Sequence, residues 1–464
     1  MGDNQRTTIL IEDEESGGLR LKLSRAPGGR RGKGKVLTRP LVLTQPTDPD
    51  KARYHGARLV EALNEEAAAR DAVAHALRAP VGEVWPLCFE LETDLEEVPG
   101  FLWEALWVKP HNFLALCPQW PIARVVGSDH TMARMYHAPL RILAVMSAVG
   151  VSAREEWEGL RSAVDAAAGV LPVHLTVVVG EIELLTELQQ LEADASANSN
   201  KWLKVIPLVD QQTINWALKQ QRPHIVHFFC HGSASFGSEH ISFATIQDRA
   251  DESQTQESVT IDIARLQLLV DNRRLWLVTL NCCSGAESAG PTQTLAESIV
   301  EAGAGAALGW RTPVDPESAH ILTSTVYNSL LSDIADRLDR AHVEGIVQLE
   351  LAALGYSLRE ALSAPSMGAL NWTLPVLFVA RDPLSITIIE KEPDDPADLG
   401  KVHVSANDQR LIVDAVAANT LREFNKAFSG LTSVAELADL VAQALSQREV
   451  DDDQPSAFTS EEAE

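Results

Sequence analysis

The chain predicts an α/β fold with a mostly parallel central sheet, and three features carry that expectation. Apolar runs of strand length alternate with amphipathic helical runs between about residues 140 and 380, the signature of a sheet covered on both faces by helices. A last apolar run, TLPVLFVA, closes the series. The chemically reactive residue types sit where two of these runs end, and in open parallel sheets reactive groups gather at the carboxyl ends of strands.

Taken in order, TTILIED and LRLKLSR read as two β segments around the turn ESGG. Residues 54–78 carry Ala, Glu, Leu and Arg with apolar positions at helical spacing, so a helix is expected there. Residues 99–124 are Trp-rich and broken by prolines, which suits short strands and turns. LRILAVMSA then reads as a buried strand, EEWEGLRSAVDAAAG as a helix, VHLTVVVG as a strand, TINWALKQQ as a helix and HIVHFFCHG as a strand. After a polar loop near 245–259 come IDIARLQLLVD and the strand RLWLVTLNC, then the helix TLAESIVEAG and the strand AGAALGW. Helices are expected near 316–333 and 342–363. This divides the chain into an N-terminal α/β subdomain (1–135), a core (136–385), an acidic linker (386–402), a small helical segment (403–448) and a disordered acidic tail (449–464).

Composition narrows the function. The 464 residues include 39 basic and 65 acidic ones, a formal net charge of −26, which argues against a nucleic-acid or bilayer-surface protein. Five sparse cysteines lack framework spacing, and the first residues lack the basic end and apolar core of a secretory signal. A cytoplasmic protein is the expectation. The one dense basic run, GGRRGKGK at 28–35, has the GxxxxGK spacing of a phosphate loop. However, Val36 stands where Ser or Thr should, and no helical pattern follows. It reads as a solvated turn, which leaves nucleotide hydrolysis remote.

IVHFFCHGS and RLWLVTLNCCSGAES are the chemically informative stretches. Each is an apolar run that ends in nucleophilic or basic side chains followed by small residues. A thiol at such an end is open to substrate, and an imidazole can take its proton. His231 and Cys283 are 52 residues apart, and caspase-type peptidases place their histidine about 50 residues before the cysteine. A zinc site from His227, Cys230, His231 and a later cysteine is the rival. Residues 227 and 230 would then project from opposite strand faces, which disfavours it.

Together these motifs resemble the CHAT-domain family, a prokaryote-rich group of caspase-like and separase-like cysteine peptidases. The carriers are His231-Gly232, Leu280-Asn281-Cys282-Cys283-Ser284-Gly285-Ala286, and looser echoes at Leu308–Asp315, FLWEALWVKPHNFLAL and NWTLPVLFV. The resemblance spans roughly residues 5–385 and implies a caspase-like sheet. It makes Cys283 the nucleophile, His231 the general base, and the Gly232 and Cys283 amides the oxyanion donors. No cofactor or metal is implied. Cys282 is the rival nucleophile, and His227 is expected to be structural or a hydrogen-bond partner. Relatives that cut after basic residues carry Asp where this chain has Asn281, so an uncharged or acidic P1 residue is expected. Asn281, Trp310 and Arg311 are then expected to line the substrate site, with Trp310 reading equally well as plain core. The C-terminal helical segment resembles the adaptors of bacterial defence systems, which implies an activating or adaptor protein partner. A catalytically inactive interaction scaffold is the alternative.

Overall fold

The computed structural model describes residues 5–14, 18–37, 48–92, 102–127, 132–148, 150–198, 201–235, 238–250, 258–262, 274–282, 295–311, 314–341, 345–364 and 369–389. The expected helical segment, the tail and most of the acidic linker lie outside these residues. So do Cys283 and the centre of the 245–259 loop.

Twelve strands follow one path through the central sheet. They are β1 (Thr7–Asp13), β2 (Leu19–Arg25), β3 (Lys35–Val36), β4 (Leu87–Glu92), β5 (Ile122–Val126), β6 (Leu140–Met146), β7 (Val173–Val179), β8 (Leu203–Pro207), β9 (Ile225–Ser235), β10 (Leu277–Cys282), β11 (Ala306–Trp310) and β12 (Pro375–Ala380). Their order is β8-β7-β6-β9-β10-β11-β12-β5-β4-β1-β2-β3. The first six strands are parallel, β12 runs antiparallel to β11, and β12, β5, β4 and β1 are again parallel. β2 and β3 close the edge as antiparallel neighbours. The sheet is therefore mostly parallel, as expected, and it joins the N-terminal strands to the core strands.

Helices cover both faces: α1 (Pro49–Leu63), α2 (Ala67–Ala76), α3 (Arg154–Ala167), α4 (Ile182–Ala197), α5 (Gln211–Gln221), α6 (Leu295–Glu301), α7 (Pro316–Ala341) and α8 (Leu354–Leu362). Strand alternation sorts the core into two layers. Ile225 and Phe229 of β9 pack with Trp157 and Leu160 of α3 and with Leu322 and Val326 of α7. Val226, Phe228 and Cys230 face the other way and pack with Ile214 and Leu218 of α5 and Leu295 and Ile299 of α6. Each such side chain contributes roughly 1.5–3 kcal/mol by leaving water. Among the described residues no helix is long and apolar enough to cross a membrane.

Three local expectations change. The single helix expected over 54–78 is two helices, because the Glu66 side chain accepts from the Ala69 amide and caps a new start. The helix expected over 342–363 is a strand (Ile346–Leu349) followed by a 3-10 turn and then α8. That strand pairs with Leu384–Ile388, where Val347 and Leu349 alternate with exposed neighbours. Helix α4 and strand β8 form where no element was foreseen.

Strand order also locates a crevice. From β6 the chain steps outward to β7 and β8, then returns to lay β9 on the other side of β6. Such a reversal opens a crevice at the carboxyl ends of the two strands, where ligands bind in sheets of this kind.

Candidate functional site

Strand β9 carries the first half of the sequence motif into that crevice. It pairs with β10 in parallel from Ile225↔Leu277 to Cys230↔Cys282, a constant offset of 52 residues. Cys230↔Cys282 is the last rung. The backbone of β9 does not stop there, as the sequence suggested, but continues to Ser235 as one arm of a hairpin with Ser238–Phe243. His231 pairs with Ser242 and Gly232 with Ile241. A strand leaving a parallel ladder must find other partners for its amides and carbonyls, and the hairpin supplies them.

Directly beneath this end lies a buried polar network centred on Glu156. Glu156 sits in the first turn of α3 and is 0% exposed. Its carboxylate accepts hydrogen bonds from Asn281 Nδ2 of β10 and from Thr323 Oγ1 of α7. His320 Nδ1, also on α7, lies 3.3 Å from it. His227 Nε2 approaches Glu156 Oε1 to 2.9 Å, off the ideal hydrogen-bond direction. The other face of the His227 ring is fixed, with Nδ1 2.7 Å from Thr279 Oγ1, which in turn lies 3.0 Å from the Tyr327 hydroxyl.

The charges follow from this geometry. Burial alone would raise the Glu156 carboxyl, but the close approach of His227 and the hydrogen bonds with His320 and Thr323 outweigh it and hold the group down to about 2. Burial would lower His320, yet its contacts with Glu156 and Glu155 raise it. Glu155 Oε2 is 3.3 Å from His320 Nε2. His227 has the structural role expected of it. Cys230 sits in the opposite core layer, so the two residues project to different faces, as the spacing implied.

Asn281, Trp310 and Arg311 were expected to meet substrate, and the structure gives them other partners. Asn281 is 2% exposed, and its Nδ2 also donates to the Ala319 carbonyl at 2.9 Å. Its Oδ1 accepts from Trp310 Nε1 at 2.8 Å, and Trp310 is fully buried. The pair ties β10 to β11 and to α7. Arg311 Nη2 donates to Glu104 Oε2 at 2.9 Å inside a buried cluster. Arg124 and Arg359 stand 3.6 and 4.0 Å from the same carboxylate. Burial and the neighbouring Arg124 charge push Arg311 down to about 10.

Glu156, Thr279, His320, Thr323 and Tyr327 escaped the sequence reading. One signal was available for Glu156. It lies four residues before Leu160 and seven before Ala163, on the stripe that α3 buries, where a carboxylate needs partners. Nothing in the sequence distinguished Thr279 from its apolar strand neighbours.

A family model for the CHAT domain matches residues 3–350. Among solved structures, the separase–securin complex of Saccharomyces cerevisiae matches 72% of the chain at 12% identity and a TM-score of 0.33. The chain spans 18% of that relative's length. The Arg-specific cysteine proteinase gingipain R (RgpB) matches 74% of the chain and 69% of its own at 9% identity and a TM-score of 0.35. No match is found among curated protein sequences. With a mostly parallel sheet, helices on both faces and a family model matching residues 3–350, the chain belongs to the CHAT-domain family.

Proposed function

We propose that the chain is a cysteine endopeptidase in which His231 takes the proton of the Cys283 thiol. The observation that carries this reading is the β9–β10 register. The last rung is Cys230↔Cys282, and residues 231 and 283 are the next in sequence after it, at the same offset of 52. At that last rung adjacent parallel strands lie roughly 4.8 Å apart, so the two residues that follow it in sequence start from neighbouring backbone positions. The crevice beside β6 and β9 is where such a pair would meet a substrate.

The chemistry follows. His231 removes the thiol proton, and the Cys283 sulfur attacks the scissile carbonyl. The Gly232 and Cys283 amides stabilise the oxyanion. Collapse of that intermediate breaks the C–N bond, with the His231 imidazolium protonating the departing amine. A water molecule, deprotonated by His231, then hydrolyses the thioester and restores the thiol. We assign Asn281 and Trp310 to holding the strand ends in place, since their polar atoms bond to one another and into the network below. Arg311 belongs to a buried cluster of three arginines around one glutamate. Asn281 stands where relatives that cut after basic residues carry Asp, and from that resemblance we infer an uncharged or acidic P1 residue. From the resemblance we infer one or few protein targets in a bacterial defence or cell-death system, a cytoplasmic setting, and an activating partner engaged through residues 390–464.

A thiol-reactive peptide ketone tests the dyad. Cys283→Ala and His231→Ala should abolish labelling, while Cys282→Ala should keep it. Cys88 and Cys230 are buried and Cys117 is half-buried, and burial pushes the Cys88 thiol up to about 12 and raises that of Cys117, so background labelling should be slight. If no cysteine labels at neutral pH with partners present, the inactive-scaffold reading replaces this one. Removal of residues 390–464 should end partner recruitment and leave hydrolysis of a short peptide intact.

A further inference from the structure

The dense basic run set aside as a solvated turn does form a turn, but the turn lines a cavity. Pro27–Gly29 make a 3-10 turn after β2, with Gly28 and Gly29 both at positive φ, 76° and 71°. Only glycine takes two such steps without strain. The turn folds Arg30 and Arg31 back over a half-open cavity of about 630 Å³. Thr8, Ser24, Arg25 and Arg381 complete its wall. No carboxylate is among the residues lining it.

Four guanidinium groups around one concavity repel one another, and the chain as a whole is acidic. Two of them are held from outside the cavity. Arg25 Nη1 donates to Asp382 Oδ1 at 2.7 Å, and Arg381 Nε donates to Glu90 Oε1 at 2.9 Å. Each guanidinium offers five N–H donors in a fixed fork, so these clamps orient the groups and leave donors over. Arg30 and Arg31 have no ion-pair partner among the described residues. The wall therefore presents fixed and unengaged guanidinium donors together with two hydroxyl side chains.

We propose that this cavity binds a phosphorylated small molecule, with at least two phosphate groups held by Arg30, Arg31, Arg25 and Arg381. Forked guanidinium groups match phosphate oxygens in bidentate fashion. The volume lies within the ~300–1,000 Å³ of small-ligand sites, room for a nucleoside diphosphate as well as for inorganic pyrophosphate. The cavity shares no residue with the proposed dyad. β12 runs antiparallel to β11 with Pro375 beside Trp310, so Arg381, just past its far end, lies toward the opposite edge of the sheet. The inference is independent of the peptidase reading.

Calorimetric titration of the full chain with sodium pyrophosphate and with ADP, at matched ionic strength, tests it without any catalytic readout. Saturable binding is expected. The double variant Arg30→Gln/Arg31→Gln, which changes only exposed side chains, should weaken it roughly tenfold or more. Lys33→Gln, on the same loop but outside the cavity wall, should change it less than twofold. Tighter binding of ADP would assign the ligand to nucleotides, and equal binding would assign it to inorganic polyphosphates. No saturation by about 10 mM, an unaffected double variant, or an equal loss in Lys33→Gln would overturn the proposal. So would tighter binding of a hexaglutamate peptide, which would make the surface a docking site for acidic protein segments.

Discussion

His227 and Thr279 face each other across the β9–β10 ladder, and the ring Nδ1 lies 2.7 Å from the threonine hydroxyl. This rung lies three residues before the last one, and it fixes how the two strands enter the crevice. Thr279 also meets the Tyr327 hydroxyl at 3.0 Å, so one side chain links two strands to α7. Replacing it by valine keeps the shape and leaves both partners buried without it.

Thr279→Val should therefore destabilise the fold by about 1–3 kcal/mol, the cost of orphaning buried polar groups. Thr279→Ser should recover most of that loss. Denaturant midpoints of the three proteins measure it. A valine variant as stable as the parent would show that the hydroxyl contributes nothing to holding the strands.

Glu156 gives stability a defined acid limit. Its carboxyl titrates near 2 in the folded chain, against an ordinary value near 4.5. Below about 4.5 the unfolded chain takes up a proton that the folded chain refuses, so stability falls as pH drops toward about 2. The whole effect is on the order of 3 kcal/mol. Glu156→Gln should lose that stability at pH 7 and differ far less from the parent near pH 2. His320 contributes the opposite slope: its raised value gives stability at low pH that is lost as pH rises through the folded value. Urea unfolding from pH 2 to pH 8 separates the two, and a constant gap between parent and Glu156→Gln would refute the assignment.

The sheet was legible because strands buried on both faces read as continuous apolar runs, as in VHLTVVV and PVLFVA. The Ile346–Leu349 strand was not, because Val347 and Leu349 alternate with exposed residues inside a segment whose leucines also suit a helix. Position at a strand end was equally legible for Asn281 and Trp310. Their direction was not, because it depends on Glu156, which lies 125 residues upstream of Asn281. Arg311 shows the same limit: Glu104 lies 207 residues away in sequence. Contacts of that range leave no local periodic trace.

Gly56 is required by close approach. A Cβ placed there would lie 1.8 Å from the Ala105 carbonyl oxygen and 2.9 Å from the Trp107 amide nitrogen, both backbone atoms that cannot swing aside. Gly56→Ala should separate α1 from the Trp103–Ala105 turn at a cost of roughly 1–3 kcal/mol. Gly82→Ala provides a contrast, since its Cβ would meet nothing within 4 Å and only its positive φ opposes the change. Thermal unfolding should place Gly56→Ala well below Gly82→Ala, and the reverse order would mean that the helix can shift at little cost.

Asn281→Asp is the most discriminating change at the network. Asn281 Nδ2 donates to the Glu156 carboxylate and to the Ala319 carbonyl, while its Oδ1 accepts from Trp310. An aspartate would keep the acceptor for Trp310 and turn both donor contacts into oxygen facing oxygen. A second buried negative charge beside Glu156 would force one of the two carboxyls to hold a proton near neutral pH. Asn281→Asp should therefore cost more than Asn281→Ala, by about 3 kcal/mol or more at pH 7. The difference should shrink as pH falls and the proton becomes available. Chemical unfolding of both variants at pH 7 and pH 4 reads this directly. An aspartate variant as stable as the alanine one at pH 7 would mean that His227 and His320 neutralise the added charge.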